Sequence, residues 1–597
     1  MKGIFADIKK GLTIESVSIR LVMAWILVAL LYYFRTGAPF YEATYMSRIN
    51  IPMFICFVAL VFAAFCVLSA SKYFKWVEIY GPTILLTLYT LVTVYAYSEL
   101  VYIVIMLLLV LASIIYAVRK TTGFAEIRSL WTVRVIYIVM AAYFIVMAGA
   151  IGVYRYLSFS NSTFDMGIWS QMFHYMKTTF RPLTTVERNE LLSHFAVHYS
   201  PIYYAYLPIF AIFESPITLS ILQVLTLISG IVPLYLLCRQ FKLSNTATAL
   251  FGILFALYPA LACGTSYDLH ENCFLTPLVL WIFYFAEKDD LKGLIIFSVL
   301  TILVKEDAFI YVFVIAVFMM FHKRQYVRYI IMALFSLLAF LIISYCLSVL
   351  GEGVMDSRYS SFSVAGESGV TAVVKNIITN PAFFIKECFQ TDRIEFLLQL
   401  FVPLAFMPIL KIKGYYLILL LPMMIVNLAA NWVYQYNINF QYAFGTIAIL
   451  MYMAISSYSN MSDSARRTFL SFALCATVVF VPITSLKLTV KYISRYYNNA
   501  EKYNAVEQAI KDNVPNDASV LASTFYVPHL FDRDELYMYN GYYGYDDPLE
   551  YECDYIVLDT SGGEVSTADI KYLDRNGYDI KYEIEGRIVI LEKNFIN

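Results

Sequence analysis

Runs of apolar, uncharged residues recur along the whole chain, and most are long enough to cross a bilayer, whose hydrocarbon core of about 30 Å takes about 20 helical residues. They fall near 20–34, 51–70, 80–96, 100–118, 135–153, 216–238, 244–262, 273–286, 293–304, 308–321, 329–349, 394–410, 415–430, 440–457 and 468–486. In lipid the backbone N–H and C=O groups must be satisfied within the segment, so the runs predict helices. The expected fold class is an α-helical polytopic membrane protein with about 14–15 transmembrane helices. Three runs, 273–286, 293–304 and 308–321, hold only 12 to 14 residues, and the last two predict a broken pair around Lys305-Glu306-Asp307.

Composition agrees. A chain of 597 residues that is 60% hydrophobic cannot be a soluble globule, and its net charge of -1 argues against a nucleic-acid partner. Its 51 tyrosines suit two interfacial aromatic belts. The nine cysteines are scattered, with no CxxC spacing, and read as small core residues. Lys2, Lys9, Lys10 and Arg20 precede the first run, and Tyr32 to Arg35 offers no small-residue cleavage site, so a retained span is expected there.

Basic residues orient the runs. Loops assigned inside hold about 21 Lys and Arg in roughly 77 positions, against about 11 in roughly 147 for the outside loops before residue 487. The N-terminus is therefore expected in the cytoplasm and the C-terminal part outside, in a multi-pass protein of the cell membrane. The run 202–213 would invert everything after it if it crossed; it reads as interfacial or re-entrant. The predicted divisions are N-terminal helices at 1–133, a transmembrane core at 134–487 with outside loops 154–215 and 350–393, and a small extracytoplasmic α/β domain at 488–597. In that domain Glu501 to Asn513 and Ser566 to Asn576 read as helices, and Ser519 to Ser523, Tyr555 to Asp559 and Arg587 to Glu592 as strands. It carries neither a GxGxxG nor a P-loop.

Ionisable groups concentrate in four short stretches that this topology places on one face. From Phe164 to Lys177 the apolar spacing predicts an amphipathic helix on the membrane surface, with Asp165 inside its apolar arc. Asp165 is then either a first-turn residue meeting the helix N-terminus or a carboxylate aimed into a cavity. His194 and His198, four apart, would share a helical face and could contact one metal or phosphate, or simply be hydrogen-bonded; HFAVH lacks the glutamate of HExxH. Asp268-Leu-His270-Glu271 is a turn between two apolar runs, either solvated punctuation or a site. Lys305-Glu306-Asp307 interrupts apolar sequence without the Gly, Pro, Ser or Asn of an ordinary loop; charge there costs about 2.5 to 3.5 kcal/mol unless paired or set in a wet cavity. Arg358-Tyr359 begins a Gly/Ser-rich stretch, Ser360 to Gly369, that reads as a flexible loop, with Arg358 as an anion-binding candidate. Gln435 to Gln441 is rich in amides, which suit hydroxyl groups but are first of all ordinary loop residues.

Together Phe-Asp-Met-Gly-Ile-Trp (164–169), His-Tyr-Ser-Pro-Ile (198–202), Asp-Leu-His-Glu (268–271), Val-Lys-Glu-Asp (304–307), Arg358-Tyr359, Pro515-Asn-Asp-Ala-Ser-Val and Asp554-Tyr-Ile-Val-Leu-Asp resemble a family of predicted membrane proteins of unknown function with a GT-C glycosyltransferase-like core. The resemblance covers about 135–595 and leaves the first four helices outside. It implies inverting transfer of a sugar from a polyprenyl-phosphate donor, a lipid-linked sugar in the bilayer, to a glycan, lipid or protein acceptor on the extracytoplasmic face. Asp165, Lys305 and Glu306 would be catalytic, with Asp165 as general base. Lys305, His198 and Arg358 would steady the leaving phosphate. His194, His198, Asp268, His270, Glu271, Asp307, Arg358 and Tyr359 would contact substrate. Asp165, Asp268, His270 and Glu271 are the candidate shell for a divalent metal, Mg or Mn. A paired-proline motif after the first outside loop is missing; His198-Tyr-Ser-Pro201 stands in its place. The alternatives are a lipid or solute transporter whose charges line a path, or a non-catalytic membrane protein that binds through its C-terminal domain.

Overall fold

The structure is a computed structural model that describes residues 13–352, 357–362, 369–541, 547–563 and 565–594. Lys2, Lys9 and Lys10, and 363–368 of the Gly/Ser-rich stretch, lie outside the described residues. Among the described residues ten helices are long and apolar enough to cross a membrane. The first five are α1 (Ile14–Thr36), α2 (Ile51–Leu68), α3 (Phe74–Ala96), α4 (Leu100–Lys120) and α5 (Leu130–Leu157). No residue of α2 is buried, so its whole surface suits lipid. Its N-terminus is capped by Asn50, which accepts from Met53 N. Arg20 of α1 is buried and bonded to Glu78 of α3, which removes the charge penalty of both in an apolar bundle.

The chain then leaves the bundle, forms α6 (Ile168–Thr179) and a two-residue hairpin, β1 (Leu183–Thr184) with β2 (Leu192–Ser193), and returns through α7 (Pro216–Gln240) and α8 (Asn245–Gly264). The 202–213 run folds as a 3-10 turn, Pro201–Ala205, and a one-turn helix, Leu207–Phe210; neither has the length to cross. Three short helices follow, α9 (Leu275–Lys288), α10 (Leu291–Ile302) and α11 (Phe309–Lys323), with the break between the last two at Lys305-Glu306-Asp307. The long α12 (Tyr326–Leu350) leads to α13 (Gly369–Thr379), α14 (Pro381–Cys388) and α15 (Thr391–Phe401), so most of the expected open loop 350–393 that is described is helical.

Two apolar runs give irregular backbone. In 394–410 helix α15 gives way after Phe401 to a 3-10 turn, Val402–Leu404, and the chain reverses at Ala405 and Phe406, both at positive φ, between Pro403 and Pro408, which have no N–H to donate. In 415–430 a 3-10 stretch, Gly414–Leu420, precedes a wide turn, Met423–Leu428. Such backbone is tolerated at membrane depth only when protein surrounds it. Asn427 supplies part of that cover, donating to Gln435 O (2.8 Å) and Tyr442 O (3.0 Å) and so pinning the amide-rich loop. The bundle closes with α16 (Phe444–Ser459), buried along nearly its whole length, and α17 (Asp463–Phe480), which continues after a 3-10 kink into α18 (Ser485–Tyr497).

The C-terminal part holds α19 (Ala500–Asn513), α20 (Thr567–Arg575) and a five-stranded sheet ordered β4-β3-β5-β7-β6. The strands are β3 (Val520–Ala522), β4 (Leu536–Met538), β5 (Tyr555–Asp559), β6 (Tyr578–Ile584) and β7 (Ile588–Lys593); β3 runs parallel to β4 and β5, and β7 antiparallel to β5 and β6. One sheet face, with Val520, Val557 and Ile590, joins the core of the membrane bundle, while Leu521, Ile556 and Leu591 pack against α20 on the other.

β4 and β6 escape sequence detection. The first has only three residues, and the second alternates charged with apolar residues on an exposed edge. The outward backbone groups of β4 are met by side chains from the long segment between α5 and α7: Thr185 exchanges hydrogen bonds with Leu536 N (3.0 Å) and O (2.7 Å), and Asn189 with Met538 N and O (2.8 Å each). The α6 helix therefore does not lie on the membrane surface. It is buried between bundle and sheet, with Gln171 and Tyr175 donating to the carbonyls of Arg533 and Asp534.

Candidate active site

The four polar stretches meet at one end of the bundle, around a cavity of about 550 Å³. Helix α6 begins only at Ile168, so Asp165 sits ahead of it in a tight turn, at φ 66, ψ -77. This is the rare γ-turn conformation, which costs a non-glycine residue on the order of 1–3 kcal/mol. Three contacts hold the turn. Thr163 N donates to Thr524 Oγ1 (3.1 Å) of the C-terminal domain. Gly167 N donates to Ser162 O (3.1 Å). Gly167 also approaches Val527 so closely that a Cβ there would stand 2.8 Å from its Cγ1. Asp165 is thus neither an N-cap nor part of an apolar arc; its carboxylate lines the cavity. Burial, then the negative charges of Asp268 and Glu271, push its carboxyl up to about 7, against the pull of the Tyr267 hydroxyl and Lys305.

Asp268 lies behind the wall. It is fully buried, 2.9 Å from Arg155 Nη1 and 2.5 Å from Asn161 Nδ2. Arg155 also donates to the carbonyls of Ser160 and Ser266, tying the end of α5 to both neighbouring turns. Glu271 is buried too, 2.9 Å from Lys305 Nζ, 2.8 Å from the Tyr203 hydroxyl and 3.1 Å from His270 Nδ1. Burial alone would raise its carboxyl; His270 and Lys305 hold it well below the usual range. Burial, aided by Lys305, lowers the His198 imidazole against the opposing pull of Glu306.

His194 and His198 do not act as a pair. The segment is a 3-10 turn, His194–Ala196, and each ring takes its own carboxylate: His194 that of Glu187 (2.8 Å), His198 that of Glu306 (2.9 Å). Glu306 also accepts from Tyr199 N (3.2 Å).

Of the residues singled out from the sequence, Asp165, His198, His270 and Arg358 line the large cavity. Lys305, Glu306, Asp307 and Tyr359 line an adjoining hollow of about 80 Å³, which His198 and Arg358 share. His194, Asp268 and Glu271 face neither. Each instead meets a buried partner of opposite charge or hydrogen-bonding capacity: Glu187 for His194, Arg155 for Asp268 and Lys305 for Glu271. The expected metal shell is accordingly not assembled. Asp268 and Glu271 already face Arg155 and Lys305, and among the described residues no three His, Cys, Asp or Glu side chains are grouped to hold an ion.

Sequence reasoning passed over Glu187, Tyr267, Trp432 and Tyr442 in the cavity wall and Arg155 behind it. Arg155 had a signal, being a cation near the end of a 28-residue apolar helix. The aromatic residues had none in a chain so rich in tyrosine. Arg358 lies 5.5 Å from the Tyr442 ring centre, over its face. The cavity thus combines a carboxylate able to take a proton near neutrality, a guanidinium, two imidazoles and aromatic faces, a set suited to a hydroxyl-bearing ring and an anion.

The sequence profile of a family described as "Predicted membrane protein (DUF2079)" matches residues 155–589. No curated protein matches the sequence. Among solved structures, the crystal structure of ArnT from Cupriavidus metallidurans bound to undecaprenyl phosphate is similar at TM-score 0.47 and 11% identity, covering 78% of this chain and 98% of that one.

Proposed function

The chain belongs to the family of predicted membrane proteins (DUF2079) whose profile spans 155–589, and from that premise we propose that it transfers a sugar from a polyprenyl-phosphate donor to an acceptor hydroxyl at the extracytoplasmic face. The carrying observation is Asp165, a carboxyl held in strained backbone at the cavity wall and raised to about 7. A general base works best with a pKa near the operating pH. In this reading Asp165 takes the proton of the acceptor hydroxyl as its oxygen bonds to the anomeric carbon. The bond from that carbon to the phosphate oxygen breaks, and the phosphate leaves with the electron pair. Arg358 stabilises the departing phosphate, and the aromatic faces of Tyr267 and Tyr442 support the sugar ring. Lys305 acts one layer back: by neutralising Glu271 it limits the negative field on Asp165. Asp268 and Glu271 face Arg155 and Lys305 rather than Asp165, so among the described residues these carboxylates do not converge on one ion.

The test is transfer from polyprenyl-phosphate-linked sugars by the purified protein in proteoliposomes. Asp165→Asn is expected to lower the rate at least 100-fold with donor binding retained. Arg358→Gln should weaken donor binding as well as turnover. Unchanged transfer in Asp165→Asn would remove the proposed base, and solute flux without transfer would favour a transporter.

A further inference from the structure

A second polar hollow lies away from this cavity, where the N-terminal helices meet α18. Two adjoining spaces, about 700 and 740 Å³, share Lys487 and Lys491 as wall residues. The two lysines are four apart on α18 and so point the same way. Among the described residues neither has an ion-pair partner. One space is walled by apolar and aromatic side chains of the spanning helices, Tyr33 and Phe34 of α1 and Leu91, Val92 and Tyr95 of α3. The other carries hydrogen-bonding groups on its far wall, Asp392, Glu395, Asn437 and Asn439.

Depth identifies what such a hollow meets. From Arg467, near the start of α17, to Lys487 is a run of helix rising about 30 Å at 1.5 Å per residue, the thickness of the hydrocarbon core. With Arg467 at one interface, Lys487 stands at the headgroup level of the other. Two lysines without ion-pair partners at that level, between transmembrane helices, present paired ammonium groups to a lipid phosphate, while Asp392 and Glu395 in the same lining are left to accept from headgroup hydroxyls. We propose that this hollow is a binding site for an anionic phospholipid. Its phosphate lies between Lys487 and Lys491, and its upper chains lie along α1 and α3. The hydroxyl-bearing tip of its headgroup donates to Asp392, Glu395 or the two asparagine amides. This site is independent of the sugar-transfer reading and joins α1 and α3, outside the matched family segment, to α18, which lies inside it.

The experiment is native mass spectrometry of the full chain in detergent, titrated with short-chain phosphatidylglycerol, phosphatidylcholine or inorganic phosphate. Lysines free to snorkel into any headgroup layer would show no lipid preference. The expected result is stoichiometric retention of phosphatidylglycerol, weakened about tenfold or more in Lys487→Gln/Lys491→Gln and unchanged in Lys502→Gln. The double variant should unfold at the wild-type temperature in lipid-free detergent, which separates lost binding from lost fold. Equal retention of phosphatidylcholine, an unaffected double variant, or displacement of the lipid by equimolar inorganic phosphate would each overturn the proposal.

Discussion

At Asp165 backbone and charge both act against the folded state. A carboxyl whose pKa is higher folded than unfolded binds more protons in the folded state between the two values, so it contributes stability below about pH 4 that is lost as pH rises through about 7. Asp165→Asn should therefore raise the melting temperature at pH 8 by a few degrees and leave it unchanged at pH 4. The conformation itself favours glycine, so Asp165→Gly should be more stable than Asp165→Ala by about 1 kcal/mol. In the intact protein, transfer should climb about tenfold per pH unit below about 7 and level off above it, as expected for one base that must lose its proton. A flat profile from pH 5 to 8 would contradict that assignment. Lys305 behaves differently. Lys305→Met leaves Glu271 charged and buried without its lysine, with only the Tyr203 hydroxyl and His270 beside it, a loss of about 3 kcal/mol. Pairing it with Glu271→Leu should restore much of the stability in thermal unfolding, so inactivity of the single variant says little about chemistry. The sequence marked both residues as unusual, but not that one faces a cavity and the other a buried carboxylate.

Among the elements, the most consequential contact is the side-chain cover of β4. Thr185 and Asn189 complete the outer edge of a strand too short to hold itself, and they link the segment between α5 and α7 to the C-terminal sheet. Replacing them with Val and Leu leaves buried backbone groups unpaired, at about 1–3 kcal/mol for each site. Hydrogen exchange should quicken at Leu536 and Met538 while Ile556 and Val557, inside the sheet, stay protected; equal change in both strands would mean that the domain unfolds as a unit. Element type was legible wherever hydrophobic period and length were both strong, as in α1 to α5 and α19. It failed where proline and consecutive left-handed residues broke an apolar run, at Ala405 and Phe406, and where a two-sided environment buried what looked like a surface helix, at α6. Periodicity reports how many sides of a segment are apolar, not which neighbours cover the rest.

For the whole molecule, the basic-residue bias predicts sidedness. In a background lacking the exposed Cys56 and Cys346, cysteines introduced at Ser162 and Trp432 should react with a membrane-impermeant maleimide added to intact cells, and one at Ser71 only after lysis. Labelling in the opposite order would invert the topology and move the cavity to the cytoplasm. The amino-acid sequence by itself settled that the chain lives in a bilayer, because apolar runs of that length leave the backbone no other way to satisfy its hydrogen bonds. It also settled which few charged residues needed an explanation, since each is too costly to leave alone at membrane depth. The tertiary structure alone decided which of those charges cancel one another, Asp268 with Arg155 and Glu271 with Lys305, and which, Asp165, opens onto a cavity. Coulombic and hydrogen-bond partners are chosen by ångström-scale distances across the fold, and spacing along a chain carries no record of them.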